Sequence, residues 1–253
     1  MFMDLIKSIF TWVFSILFII LMFPFTIIIW LTGVPAGKSA LFVHRWLSVQ
    51  GRVLIRVSPL WKLEIDGREN YVPGNNYVMI SNHQSLLDIP VIKCLRLDYR
   101  WVSKVENFKV PILGQSMHMA GYILLERGNK ESVIRMMEKS ADALRKGESV
   151  FIFPEGTRSP DSEIHRFKNG AFRLALDNNV PILPVLIDGT GEVLPRKGFI
   201  FSAGYLLKMR MLKPIHPSGF VSGDPDKMAM HVQKTMENAL KELRGSNMDE
   251  KQS

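Results

Sequence analysis

The chain has 253 residues, 47% hydrophobic and 22% charged, which fits one folded domain with or without an anchor and excludes a wholly disordered or collagenous chain. Its single cysteine, Cys94, excludes an internal disulfide framework and any multi-thiolate metal cluster, and fits a reducing compartment. Lys and Arg number 32 against 24 Asp and Glu, a formal +8 that suits anionic partners: phosphate ligands, an anionic lipid surface or nucleic acid.

The N-terminal end is membrane-seeking. Residues 8–37 carry no charge, and residues 9–31 are almost all apolar. Those positions would cover about 34 Å as a helix, enough for a hydrocarbon core of roughly 30 Å. A cleaved signal peptide is the rival reading, with Val34-Pro35-Ala36 as its cleavage site, but the apolar run is too long and only Lys7 provides a basic start. Pro24 would kink the helix, and Gly33 and Pro35 end it. A second stretch, 41–57, mixes apolar residues with Arg45, Arg52 and Arg56 in the manner of an interfacial helix. The segment therefore either spans the membrane or dips into one leaflet as a helical hairpin. If it spans, Lys38, Arg45, Arg52 and Arg56 place the main domain in the cytoplasm.

From residue 60 the pattern changes to short apolar runs alternating with helical spacing. Strands are predicted at 61–65, 77–80, 99–105, 121–125, 150–153, 182–187 and 206–212. Helices are predicted at 86–97, 132–146, 167–177 and 227–243; Val133, Ile134, Met137, Ala141 and Leu144 make the second the clearest, with Gly147 as its stop. Gly189-Thr190-Gly191 reads as a turn, and 245–253 as a flexible polar tail. The expected organisation is membrane-anchoring helices over 1–59, an α/β domain over 60–244 with a largely buried sheet flanked by helices, and the tail. Loops beyond strand ends are where such folds carry chemistry.

Two such loops hold candidates. The first is Asn82-His83-Gln84-Ser85-Leu86-Leu87-Asp88, following the 77–80 strand. On one continuous helix His83 and Asp88 would point about 140° apart. With His83 in the turn and Asp88 in the first helical turn they can meet, and a carboxylate on one imidazole nitrogen leaves the other free to take a proton. The competing reading is structural: Ser85 and Asp88 have capping-box spacing, and an acid at a helix start needs no catalytic reason. The second loop, Phe153-Pro154-Glu155-Gly156-Thr157-Arg158-Ser159, could cradle a phosphate, with Gly156 allowing close approach and Arg158 gripping bidentately, or could be an ordinary polar loop. Lys104, Arg127 and Lys168 fall near element ends, where each alone reads as a solvated charge. No G-x-S-x-G elbow, P-loop or H-E-x-x-H motif occurs, and His44, His118, His165, His216 and His231 have no metal-ligand spacing.

Taken together these blocks resemble the glycerolipid acyltransferase family, most closely the 1-acylglycerol-3-phosphate O-acyltransferases. Residues 82–88 match the family's N-H-x4-D block; Lys104, Pro111, Gly114, Gly121 and Arg127 match the second; 153–159, with 167–172 behind it, match the third; and Val180-Pro181-Ile182-Leu183-Pro184-Val185 match the fourth. One departure is Glu126, where the family commonly has Asp before the Arg. The resemblance covers roughly residues 60–215 and implies a mixed αβ sheet. It makes His83 the general base on the acceptor hydroxyl, oriented by Asp88, with direct attack on an acyl thioester, so that Ser85 is not a nucleophile. Lys104, Arg127 and Arg158 would hold the acceptor phosphate in a pocket shaped by Glu155, Gly156 and Thr157, and backbone amides near His83 are the candidate oxyanion donors. The resemblance calls for no metal or redox cofactor. The implied partners are the lipid bilayer, a lysophospholipid acceptor and an acyl-CoA or acyl-carrier-protein donor, not nucleic acid, with the catalytic domain on the cytoplasmic side of the membrane. The competing readings are a thioester or lipid hydrolase, and a membrane-tethered protein that binds anionic ligands without using His83.

Overall fold

The computed structural model of the chain describes residues 2–220 and 224–250. It opens with α1 (Phe2–Gly33) and α2 (Ser39–Val57), packed as a helical hairpin. Helix α1 runs unbroken through Pro24 and is long and apolar enough to cross a membrane, with Phe10, Leu21 and Phe25 exposed. Its first turns are tied to the globular part: the Trp12 indole donates to the Phe199 carbonyl at 2.9 Å, and the Ser8 hydroxyl accepts from the Phe201 amide at 2.8 Å.

The remainder follows in the order β1 (Trp61–Asp66), β2 (Val78–Ser81), α3 (Asp88–Lys93), β3 (Tyr99–Lys104), α4 (Val105–Phe108), α5 (Leu113–Met119), β4 (Ile123–Leu125), α6 (Lys130–Arg145), β5 (Ser149–Ile152), α7 (Gly170–Asn178), β6 (Ile182–Asp188), α8 (Thr190–Val193), β7 (Tyr205–Met211) and α9 (Pro225–Glu250). The seven strands form one sheet, β1-β7-β6-β2-β5-β3-β4. Strands β6, β2, β5, β3 and β4 run parallel, β7 pairs antiparallel with β6, and β1 parallel with β7. The sheet is therefore mixed, as expected, and every strand predicted from the sequence is present within a residue or two. Central strands β2 and β6 are buried along their whole lengths because helices cover both sheet faces, whereas edge strand β1 alternates.

Alternation along β2 divides the core. Met79 packs on one face with Ile55 of α2 and Val91 and Ile92 of α3. Val78 and Ile80 pack on the other with Met136 of α6, Phe172 of α7 and Met236 and Leu240 of α9. Each fully buried side chain of this size contributes about 1.5–3 kcal/mol. Helix α2 can approach α3 closely because residue 51 is glycine: a Cβ there would lie 2.7 Å from that of Lys93.

Three local differences from the sequence reading have simple causes. Helix α3 is shorter than 86–97 because residues 82–87 are held in a loop by side-chain bonds described below. Thr190 begins the short helix α8 instead of completing a turn, with Gly189 supplying the positive φ of +86° before it. Helix α9 continues through Gly245 to Glu250, into the segment expected to be a tail; residues 251–253 lie outside the described residues.

Candidate active site

The five parallel strands all end on one rim of the sheet, where chemistry concentrates in such folds. His83 follows β2, Lys104 ends β3, Arg127 follows β4, Glu155 to Arg158 follow β5 and Thr190 follows β6. Sequence separations of up to about a hundred residues are thus gathered on one edge.

The turn after β2 is fixed by Asn82. Its amide donates to the Ile187 carbonyl at 2.8 Å while its oxygen accepts from the Ile187 amide at 2.9 Å, so the side chain extends the β2–β6 ladder by one rung. His83 is gripped next. Its amide donates to Glu155 Oε1 at 3.0 Å and its carbonyl accepts from the Ser159 amide at 2.6 Å. Its ring lies flat on Phe153, with centroids 3.9 Å apart and planes inclined by 11°.

His83 Nδ1 lies 2.7 Å from Asp88 Oδ2. Asp88 is the first residue of α3 and its side chain is wholly buried. The same oxygen accepts from the amides of Gln84 at 2.7 Å and Ser85 at 3.0 Å, while Oδ1 accepts from the Thr190 hydroxyl. Both readings of the spacing are therefore present together: the acid steers the imidazole and also reaches back to the Ser85 amide as a capping-box acid does. A carboxylate at Nδ1 fixes the proton there and leaves Nε2 as a lone-pair acceptor. Among the described residues Nε2 has no hydrogen-bonding partner, and the side chain keeps 15% of its surface exposed. Ser85 is wholly buried and its hydroxyl donates to the Leu194 carbonyl at 2.6 Å, an arrangement unlike an attacking nucleophile.

The loop after β5 is built around Glu155, which is 6% exposed. Burial pushes its carboxyl up to about 7, against the opposing pull of the His83 amide and of the His165 amide at 3.4 Å. Gly156 has φ of +72°, a left-handed conformation that favours glycine, and Lys168 Nζ lies close over it, 3.0 Å from where a Cβ would sit. Thr157 is exposed and Arg158 half-buried. Lys104 is paired with Glu106 at 2.8 Å, and Arg127 is exposed. The structure thus brings His83, Asp88 and Glu155 into one bonded unit. It sets Lys104, Arg127 and Arg158 on the same rim without bonds to one another.

The backbone amides near His83 do not fit the expected oxyanion role: those of His83, Gln84 and Ser85 are all committed to carboxylates. Sequence reasoning also missed several positioning residues. Gln84 donates to the Ser162 carbonyl at 3.0 Å and accepts from Thr190 at 3.2 Å. Arg244, from α9, bonds Asp188 at 3.0 Å and the Ser162 carbonyl at 2.8 Å, tying the last helix to the loop after β5. These partners lie about a hundred residues apart or come from a helix with no motif, so no local spacing could reveal them.

Beside the His83 loop an apolar cavity of ≈ 250 Å³ runs between α1, α2, α3 and α5, lined by Ile19, Leu47, Leu54, Leu86, Ile89 and Trp101 among others. Lys93 projects into it. Its ammonium donates to the Tyr122 hydroxyl at 2.5 Å and lies 4.9, 5.2 and 4.9 Å from the ring centroids of Tyr99, Trp101 and Tyr122. Burial lowers Lys93 to about 7. Ile112, just before α5, has φ of +68°, a strained conformation for a β-branched residue, and the Leu113 amide closes a tight turn there onto the Pro111 carbonyl at 2.7 Å.

The chain belongs to the acyltransferase family, whose model matches residues 62–188. More particularly, it is 39% identical over 143 residues to the chloroplastic 1-acyl-sn-glycerol-3-phosphate acyltransferase BAT2 of Brassica napus, covering 56% of this chain and 41% of that one. It is 33% identical over 185 residues to the 1-acyl-sn-glycerol-3-phosphate acyltransferase of Saccharomyces cerevisiae, covering 72% and 60%. The chain spans less than half the length of the first curated relatives it matches. The crystal structure of the 1-acyl-sn-glycerophosphate acyltransferase PlsC from Thermotoga maritima superposes with a TM-score of 0.83 at 24% identity, over 96% of this chain and 97% of that one, and so shares the fold.

Proposed function

We propose that the chain is a 1-acylglycerol-3-phosphate O-acyltransferase that moves a fatty acyl group from a thioester, acyl-CoA or acyl-carrier protein, onto the free hydroxyl of lysophosphatidate to give phosphatidate. The observation that carries this reading is the His83–Asp88 contact at 2.7 Å with Nε2 left without a protein partner. His83 Nε2 takes the hydroxyl proton as the acceptor oxygen attacks the thioester carbonyl, and Asp88 stabilises the imidazolium that forms. The tetrahedral intermediate collapses with loss of the thiolate, which the imidazolium reprotonates, so no covalent acyl-enzyme is required. Lys104, Arg127 and Arg158, on the strand ends beside His83, hold the acceptor phosphate, with Glu155, Gly156 and Thr157 shaping that pocket. The cavity beside Leu86 takes an apolar chain.

Both acceptor and product are lipids, so a chain whose residues 1–59 anchor it and whose residues 60–244 carry the site works at a bilayer surface. Lys38, Arg45, Arg52 and Arg56, C-terminal to α1, favour a cytoplasmic position for that domain. The test is an assay of purified protein with a panel of acyl thioesters and lyso-lipids. Phosphatidate formed preferentially from lysophosphatidate supports the reading. Preference for another lyso-lipid revises the acceptor, and free fatty acid with no acylated acceptor makes the protein a hydrolase.

A further inference from the structure

A second cavity, of ≈ 530 Å³, lies on the other flank of α2 and shares no lining residue with the apolar one. Arg52 and Arg56 of α2, Lys62 of β1, Arg68 just beyond β1 and Arg96 just beyond α3 all line it, together with Cys94. Among the described residues none of these five cations has a carboxylate partner; Arg68 instead donates to the carbonyls of Leu95 and Cys94, both at 2.9 Å. Burial raises the Cys94 thiol against the opposing pull of Arg52, Arg56, Arg68 and Arg96, and burial lowers Arg52, with Arg96 and Arg56 adding to that. Arg96 is held there with φ of +62°, a left-handed conformation that costs a non-glycine residue energy.

Like charges gathered at one concave place repel one another, and an anion with several oxygens relieves that repulsion. Guanidinium forks match phosphate oxygens in pairs, which makes a phosphate the best chemical fit. The cavity is larger than one phosphate group needs, leaving room for the organic part of an ester. We propose that it is a second phosphate-binding site, separate from the His83 rim, for a phosphate ester. Its ligand is a lipid headgroup or a soluble phosphate compound. The packing of α2 on the membrane-length α1 brings the first source within reach.

The experiment follows thermal unfolding of the full chain in dodecyl maltoside with added phosphatidylglycerol, phosphatidylcholine or inorganic pyrophosphate. A saturating ligand raises the midpoint by about 5 °C. A shift with phosphatidylglycerol but not phosphatidylcholine identifies a lipid source, and a shift with pyrophosphate a soluble one. In either case Arg52→Gln/Arg56→Gln/Arg96→Gln abolishes the shift, the corresponding triple Lys variant retains most of it, and Lys104→Gln/Arg158→Gln retains it in full. If the triple Gln variant does not unfold cooperatively, Arg96→Gln alone, at an exposed position, is compared and reduces the shift. No shift of the wild type with either phosphate compound, or an undiminished shift in the Gln variants, overturns the proposal.

Discussion

Asp88→Asn removes one charge and almost no volume. With the Asn oxygen in place of Oδ2, the bonds from His83 Nδ1 at 2.7 Å, Gln84 N at 2.7 Å and Ser85 N at 3.0 Å all survive. The amide nitrogen then faces Thr190, whose hydroxyl can turn to donate to Gln84 Oε1 at 3.2 Å. Ring position and tautomer are kept, and what disappears is the negative charge beside His83 when it holds the transferred proton. At about 4 Å between charge centres and an effective dielectric of about 20, that attraction amounts to about 4 kcal/mol. The expected loss is about 10³-fold in kcat. Thiol release from an acyl thioester in the presence of lysophosphatidate measures the rate, and circular dichroism checks the fold. A folded Asp88→Asn protein within tenfold of the wild-type kcat would refute the reasoning.

Three further outcomes follow from the buried polar groups. Thr190→Val removes the hydroxyl bonded to Asp88 and lowers kcat roughly tenfold, consistent with about 1.5–3 kcal/mol for a hydrogen bond to a charged group; an unchanged rate contradicts it. Glu155, raised to about 7, favours the folded state below its unfolded pKa and loses that contribution as pH rises through 7. Glu155→Gln, compared with wild type in unfolding experiments between pH 4.5 and 8, therefore gains about 3 kcal/mol relative to wild type over that interval, and parallel curves would show no shifted carboxyl. Lys93, lowered to about 7, is disfavoured in its charged form by burial, so the wild type gains stability as pH rises above 7. Between pH 7 and 9 that gain is about 2–3 kcal/mol and is absent from Lys93→Met; equal pH slopes for the two proteins contradict it.

The sheet was legible in the sequence because its central strands are continuous apolar runs buried on both faces, as in 77–80 and 182–187. The His83–Asp88 pair was legible because a five-residue spacing closes only across a turn into a helix start, and the structure has that turn. Helices α4 and α5 were not foreseen: each spans seven residues or fewer, and the tight turn at Ile112 between them breaks any periodicity. The bonds of Glu155 to His83, of Thr190 to Asp88 and of Arg244 to Asp188 were hidden for a different reason. They join chain segments through the sheet's crossover order, which local spacing does not encode. Nothing in the local sequence marks Lys93, which the fold encloses among three aromatic rings with α2 packed against it at Gly51.

The most direct measurement is a single-turnover reaction of labelled lysophosphatidate and excess acyl thioester on wild type and His83→Ala. The wild type should form phosphatidate, and the variant, with an unchanged melting profile, should be slower by about 10²–10⁴-fold. A folded His83→Ala protein that forms phosphatidate at the wild-type rate would contradict proton removal by this imidazole.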